Sequence, residues 1–298
     1  MSLNTMKTYD TGLAAFTKFL QIQGINEMWP PKLETVVHFL AYLSLKALSA
    51  NTARSYISAI SYKCKVSGFP DIAQNFIIQK MLEGMKRLKT RSDTRLPITP
   101  AILENIVSVL PGICANIYEQ KLFKAAFTLA FAGLLRVGEI TYSKGRDLSK
   151  ILSKNDVLLT RDGKSLIVKL RFSKTDQTGK GVTLEIPKSE SALCPIKSIN
   201  EYLSVRSVAD GPFFCHFSGA PLTRYQFSAI LSKSLKHSGS DTNRFKVHSF
   251  RIGGATTLSM SGYTIDEIKK MGRWKSSAYK SYIRTPSILF SKTAFSGK

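Results

Sequence analysis

The segment Glu119–Leu135 is apolar almost all the way round a helical wheel, through Leu122, Phe123, Ala125, Ala126, Phe127, Leu129, Ala130 and Phe131. A helix with no polar face must be enclosed by other elements. The fold around it therefore has to be large enough to wrap a central helix on every side. The chain has 298 residues, 43% of them hydrophobic, which allows a sizeable core and most naturally two domains.

The pattern on either side of this helix defines the organisation. Residues 1–91 read as helical. Thr8–Gln23 places Leu13, Phe16, Phe19 and Leu20 on one stripe, and Gly24 is a stop signal. Leu33–Leu45 repeats the pattern through Val36, Val37, Leu40 and Leu43. Ser49-Ala-Asn-Thr52 opens a third helix that Gly68-Phe-Pro70 ends, and Phe76–Leu88 is a fourth. The polar, Pro-terminated stretch 92–97 then reads as a linker. Beyond it, 98–298 forms a second region. A helix over Thr99–Leu110 and the buried helix come first. The period then changes to two: Val157–Thr160, a turn at Asp162-Gly163, Ser165–Phe172 and Val182–Ile186 predict a three-stranded antiparallel meander. Helices return over Pro195–Arg206, Tyr225–Ser238, Ser249–Ser261, Thr264–Met271 and Ser276–Arg284. In Thr264–Met271, Ile265, Ile268 and Met271 read as packing positions. The fold class is mainly α with a small antiparallel sheet: an all-helical first domain and an α+β second one.

Charge narrows the partners. Lys and Arg number 43 against 20 Asp and Glu, a net of +23. Both regions share it, with 12 basic and 5 acidic residues in 1–92 and 31 and 15 in 93–298. Nucleic acid is the leading partner, because each neutralised phosphate releases counterions. A membrane surface is the next candidate, but no apolar run approaches the roughly 20 residues needed to span a bilayer, and no signal-peptide pattern opens the chain. Cys64, Cys114, Cys194 and Cys215 are far apart, without C-x-x-C pairing, and read as reduced structural thiols in an intracellular compartment.

Several residues have the chemistry to act on a polyanion, and each has a plainer reading. Arg136 and Glu139 lie just past the buried helix, where an i,i+3 ion pair is the ordinary use. Lys174, in Ser173-Lys-Thr-Asp176, sits at a hairpin mouth, where lysines usually protect a sheet edge; Lys180 in the same loop is a rival. His248 and Arg251 share a face at a helix start, and the small residues Gly253, Gly254 and Ala255 let that helix approach a neighbour. Trp274, Tyr279 and Tyr282 follow. Ser261–Trp274 alone has the outline of a helix-turn-helix.

Taken in order, Arg136, Lys174, His248, Arg251, Trp274 and Tyr282 resemble the catalytic set of the tyrosine recombinases, the phage-integrase family. Leu134-Leu-Arg-Val-Gly-Glu-Ile140, Ser173-Lys-Thr175, His248-Ser-Phe-Arg251-Ile-Gly253 and Gly272-Arg-Trp274 leading to Ser281-Tyr-Ile-Arg284 carry the match. It covers essentially the whole chain, with residues 1–91 as a SAM-like core-binding, DNA-clamping domain and 98–298 as the catalytic domain. The last motif is most similar to recombinases of eukaryotic mobile elements, the Crypton and DIRS-like groups, and on that ground a nuclear location is expected.

The resemblance implies a reaction. A tyrosine oxygen attacks a DNA phosphodiester, forms a 3′-phosphotyrosyl bond and expels a 5′-hydroxyl, without metal, cofactor or ATP. Arg136 and Arg251 would clamp the phosphate oxygens. Lys174 would protonate the leaving oxygen, and His248 would assist proton transfer at the nucleophile. Trp274 stands where the family more often has histidine; its indole N–H donates but cannot shuttle a proton. Glu139 would orient the site from behind. The family's usual step from the Trp274 position lands on Ile283, so Tyr282 is one residue short; its Tyr-Ile-Arg context selects it over Tyr279. Arg224 and Thr223, at a helix start, would read bases, and Arg54, Lys86 and Arg87 would touch phosphates. The apolar tail 285–298 would dock on a neighbouring protomer, and four protomers would synapse two DNA sites. The rivals are a type IB topoisomerase, which shares the chemistry, and a domesticated DNA-binding protein that has lost it; no member of the catalytic set is missing.

Overall fold

The computed structural model describes residues 3–26, 29–88, 93–145, 147–172 and 180–284. Lys174 and the tail 285–298 lie outside the described residues. The chain divides into two compact units, Met1–Asp93 and Thr94–Lys298.

The first unit holds helices α1 (Leu3–Gln23), α2 (Leu33–Leu45), α3 (Ala50–Val66) and α4 (Phe76–Leu88). Helix α1 starts five residues before the Thr8 read from the sequence. Local chemistry sets the ends. Gly24 takes φ +63° after α1, a conformation glycine adopts without steric cost. Ser49 Oγ accepts the Thr52 N–H at 3.1 Å and caps α3, satisfying a donor that the helix start leaves free. Phe16, Phe19 and Phe39 form an aromatic centre with ring separations of 5.1 to 6.3 Å. Gly12 lets α1 lie on α3, because a Cβ there would stand 3.0 Å from the Tyr56 Cα.

The second unit is built around α7 (Ile117–Ala132), the helix with no polar face. It follows α5 (Pro100–Ser108) and α6 (Leu110–Ile113) and precedes the single turn α8 (Val137–Ile140). Three strands follow, β1 (Val157–Leu159), β2 (Ser165–Leu170) and β3 (Val182–Pro187), then α9 (Pro195–Leu203), α10 (Arg224–His237), α11 (Ser249–Met260) and α12 (Ile265–Gly272). The strands form an antiparallel sheet in chain order, with Val168 opposite both Val157 and Leu184. Phe127 on α7 is fully buried between Phe227 of α10, edge-on at 4.9 Å, and Phe250 of α11, stacked at 5.2 Å. Burying one such side chain contributes about 1.5–3 kcal/mol. Helix α11 comes closest of all: a Cβ on Gly254 would lie 2.5 Å from the Phe131 carbonyl oxygen, and one on Gly253 would strike the Ile98 backbone.

Three local readings change. Leu96, in the stretch read as linker, donates its N–H to the Arg244 carbonyl at 2.9 Å and packs on the core of the second unit. Ile265 is 54% exposed rather than packed, while Ile268 is buried. Ser276–Arg284 is not an α-helix: only a short 3-10 helix forms, over Ser277–Ser281, and Tyr282 follows it. Serine side chains take the local hydrogen bonds there, Ser276 from the Ala278 N–H and Ser281 to the Ala278 carbonyl, and so compete with helix continuation.

Candidate active site

The site forms where two chain reversals and one helix of the second unit meet. Helix α7 stops at Gly133, and Leu134 turns at φ +45°. This left-handed turn aims the Leu134 carbonyl back into the protein and starts α8 with Arg136 at its N-cap. Arg136 is thus a capping position between two helices, just past the buried one as read from the sequence. Glu139, one turn on, reaches back. Its Oε2 accepts the Arg136 backbone N–H at 2.8 Å, and its Oε1 accepts Arg136 Nη1 at 3.1 Å. The i,i+3 ion pair read from the sequence is present, and the Glu139 side chain is only 4% exposed.

Helix α11 supplies the second element. His248 is its N-cap and Arg251 lies one turn inside. Because Gly253 and Gly254 let α11 sit on the backbone beside it, Arg251 reaches the turn after α7. Its guanidinium is fully buried and donates to the Leu134 and Gly272 carbonyls. Burial pulls its pKa down to about 9, with repulsion from Arg273 and Arg136 adding to the shift and Glu139 opposing it. It remains a cation at neutral pH.

The third element is the end of α12. Arg273 terminates it in the left-handed region at φ +57°, and Trp274 folds back over Gly272, whose missing Cβ leaves room for the ring. The chain then passes through the 3-10 helix to Tyr282. The Thr256 hydroxyl of α11 holds this return: it donates to the Tyr282 carbonyl at 3.2 Å and accepts the Arg284 N–H at 3.0 Å.

These elements bring four of the six residues together. The Tyr282 ring lies 5.0 Å from His248 and 4.8 Å from Trp274. The Arg251 guanidinium faces Trp274 at 4.5 Å and Tyr282 at 5.4 Å. Trp274, Leu134, Ala255 and Ile268 form a small apolar cluster of their own, with Tyr282, Ile283 and Tyr279 against it. With one residue fewer than the expected step from Trp274, Tyr282 still packs against this cluster. Arg136 joins the set through Glu139, and the ion pair Arg273–Glu139 at 3.0 Å closes the network. Lys174 lies outside the described residues. Lys180, its rival, is exposed.

Sequence reasoning missed two contributors. Arg273 was passed over as part of a Gly-Arg-Trp string, although a third arginine beside a buried acid is a signal. Thr256 had no signal, because a threonine inside a helix is ordinary.

The expected DNA contacts divide. Arg224 is exposed at the first position of α10, with the exposed Tyr225 next to it. The Thr223 hydroxyl is engaged in the helix cap, donating to Gln226 Oε1 at 2.7 Å and accepting the Gln226 N–H at 3.2 Å, so base reading by Thr223 would break the cap. Arg54, Lys86 and Arg87 are exposed on the first unit. Arg54 and Arg87 share a neighbour in Glu83, whose carboxyl is held below its usual range first by the Lys80 hydrogen bond and then by these cations. Among the described residues no group of His, Cys, Asp and Glu is arranged to hold a metal ion, all four cysteines are free thiols, and no helix is long and apolar enough to cross a membrane.

Comparison with known proteins agrees with this geometry. Residues 97–284 match the model of the phage integrase family, and residues 1–62 match that of the phage integrase N-terminal SAM-like domain. No curated protein sequence matches the chain. Among solved structures it is similar to the integrase of the Tn1549 transposon in complex with transposon right-end DNA (TM-score 0.66, 14% identity, 96% of this chain and 91% of that one). It is also similar to the XerH site-specific recombinase bound to its difH substrate (0.67, 13%, 96% and 77%) and to a lambda integrase dimer bound to a core site (0.61, 15%, 98% and 75%). At such identities the likeness is one of fold. With the catalytic-domain model spanning well over half of its length, the chain belongs to the phage integrase family, the tyrosine recombinases that cleave and rejoin DNA.

Proposed function

We propose that the chain is a site-specific DNA recombinase of a mobile element and that Tyr282 is its nucleophile. The observation that carries this is the packing of Tyr282 within about one ring's width of His248, Trp274 and the Arg251 guanidinium; Tyr279 borders the same apolar cluster as Tyr282 but is not part of these ring contacts. In the proposed step the Tyr282 oxygen attacks phosphorus and its proton passes to His248. The P–O5′ bond breaks, and the 5′-oxygen leaves as a hydroxyl with a proton from Lys174, placed here by motif alone. The 3′-phosphotyrosyl bond stores the energy of the broken linkage, so rejoining runs the same step backwards.

Arg136 and Arg251 stabilise the charge that builds on the non-bridging oxygens. Two of the five Arg251 N–H donors hold backbone carbonyls, and the remaining ones are the donors a phosphate would use. The Trp274 indole packs the arginine face. Arg224 contacts bases, and Arg54, Lys86 and Arg87 contact phosphates. The likeness to the Tn1549 transposon integrase supports a mobile-element role. We further infer assembly of four protomers on two DNA sites and, from the Gly272–Arg284 motif, action in a nucleus.

The test uses duplexes enriched by the protein from a random pool and then nicked so that cleavage becomes irreversible. Wild type should form a denaturation-resistant protein–DNA adduct. Tyr282→Phe should form none, and Tyr279→Phe should keep it. Loss with Tyr279→Phe alone would move the nucleophile. No adduct from wild type despite intact binding would leave a DNA-binding protein without the reaction.

A further inference from the structure

Arg273 occupies a place that stability does not explain. Its backbone sits at φ +57°, a conformation in which glycine is free and a side chain is strained. Its side chain is 4% exposed beside the Glu139 carboxylate, which is equally buried and already paired with Arg136. Burial lowers the Arg273 pKa, with Glu139 opposing and Arg136 adding to the drop. One carboxylate thus serves two arginines, and a third, Arg251, lies against the same turn. The contacts are specific. Arg273 Nη2 donates to Glu139 Oε2 and to the Leu134 carbonyl, both at 3.0 Å, and Nη1 reaches the Gly133 carbonyl at 3.4 Å. Arg251 holds the same Leu134 carbonyl from the other side.

This arrangement has a directional consequence. With Oε2 held by Arg273 and by the Arg136 backbone, Oε1 is the oxygen left to face Arg136 Nη1. The residue that precedes Trp274 therefore sets the orientation of a side chain more than a hundred residues earlier. It also ties the turn after α7 to the end of α12, the two places between which the Arg251 guanidinium is suspended.

We propose that Arg273 is a positioning residue for strand cleavage: through Glu139 it aims Arg136 at the phosphate, and through the Leu134 carbonyl it holds the Arg136 turn in register with Trp274 and Tyr282. The role rests on the cleavage reading above and adds a residue that does not itself touch DNA.

Arg273→Gly separates this role from a structural one, because it relieves the backbone strain while removing the guanidinium. The full chain is compared with R273G, R273K, E139Q and the double variant R273G/E139Q for melting temperature, affinity for the selected duplexes and single-turnover adduct formation at saturating protein. R273G should melt near wild type and bind DNA within about threefold, yet form adduct at least about 30-fold more slowly, a loss in the chemical step rather than in binding. R273K should recover part of the rate. E139Q should lose a similar factor, and the double variant should lose little more, since the two act as one unit.

An R273G rate within about threefold of wild type, or losses that multiply in the double variant, would overturn the positioning role alone. If R273G does not fold, R273K combined with E139Q decides by the same non-additivity. A wild type that forms no adduct overturns the cleavage reading, and the role with it.

Discussion

Thr256 shows how much of the site depends on single polar atoms away from the chemistry. Its hydroxyl is buried on α11 and bridges the Tyr282 carbonyl and the Arg284 N–H. Tyr282, the proposed nucleophile, thus depends on one threonine to hold its backbone against the helix that carries Arg251. Thr256→Val keeps the branched shape but leaves both backbone groups without that partner, at a cost of about 1–3 kcal/mol. The expected outcome is an adduct rate at least about tenfold below wild type, since small misplacements of a nucleophile are costly, with Thr256→Ser close to wild type. An unchanged rate in the valine variant would show that Tyr282 is placed by its ring contacts alone. At this scale the sequence was a good guide to which residues come together and a poor guide to their state. The His248–Arg251 face was legible from i,i+3 spacing. That Arg251 would be fully buried under Trp274 and Tyr282 was not, because burial depends on a chain return that follows it in sequence.

Elements set the distances. Helix α11 can carry Arg251 to the Leu134 carbonyl only because Gly253 and Gly254 remove two side chains from its contact face. A Cβ on Gly254 would fall 2.4 Å from Leu134 Cδ2 and 2.5 Å from the Phe131 carbonyl, closer than atoms can pack. Gly254→Ala must therefore push α11 away from α7. It should destabilise the fold by about 3 kcal/mol, as overpacking does, and a thermal melt would show a clear fall. A variant that melts within a degree of wild type would mean that the helices separate at no cost. Long helices were readable from hydrophobic period, and several boundaries fell within a residue or two. The errors were at short elements. Helix α8 and the 3-10 helix at Ser277–Ser281 are too brief to show a period, and serine side chains rather than an apolar stripe decide the second. Ile265 matched the stripe of α12 yet stands exposed at its first turn.

For the whole molecule, charge is the property that needs no fold to interpret. The net of +23 is distributed over both units, and exposed Arg54, Lys86, Arg87 and Arg224 are part of it. Binding to duplex DNA should then weaken steeply with salt. A plot of log affinity against log salt concentration should have a slope of at least about −5, since each neutralised phosphate contributes about −0.9. A slope shallower than about −2 would mean that few of these cations touch the backbone. The family, too, was legible from an ordered string of motifs, because those motifs are local and the reaction demands particular residue types.

By itself, then, the sequence determined the class of fold, the family and a strongly basic charge balance, and it named the candidate reacting groups. Period, charge and short motifs are properties of neighbouring residues, so they are expressed before any folding. Only the tertiary structure decided which groups meet and in what state: that one carboxylate holds two arginines, that Arg273 is one of them, that Thr256 anchors the segment carrying Tyr282, and that a step one residue short still brings Tyr282 to His248. The reason is physical. A buried charge is tolerable only where its partners come to it, and here Arg251 and Arg273 find Leu134 and Glu139 more than a hundred residues away along the chain, brought close by two glycines and two left-handed turns.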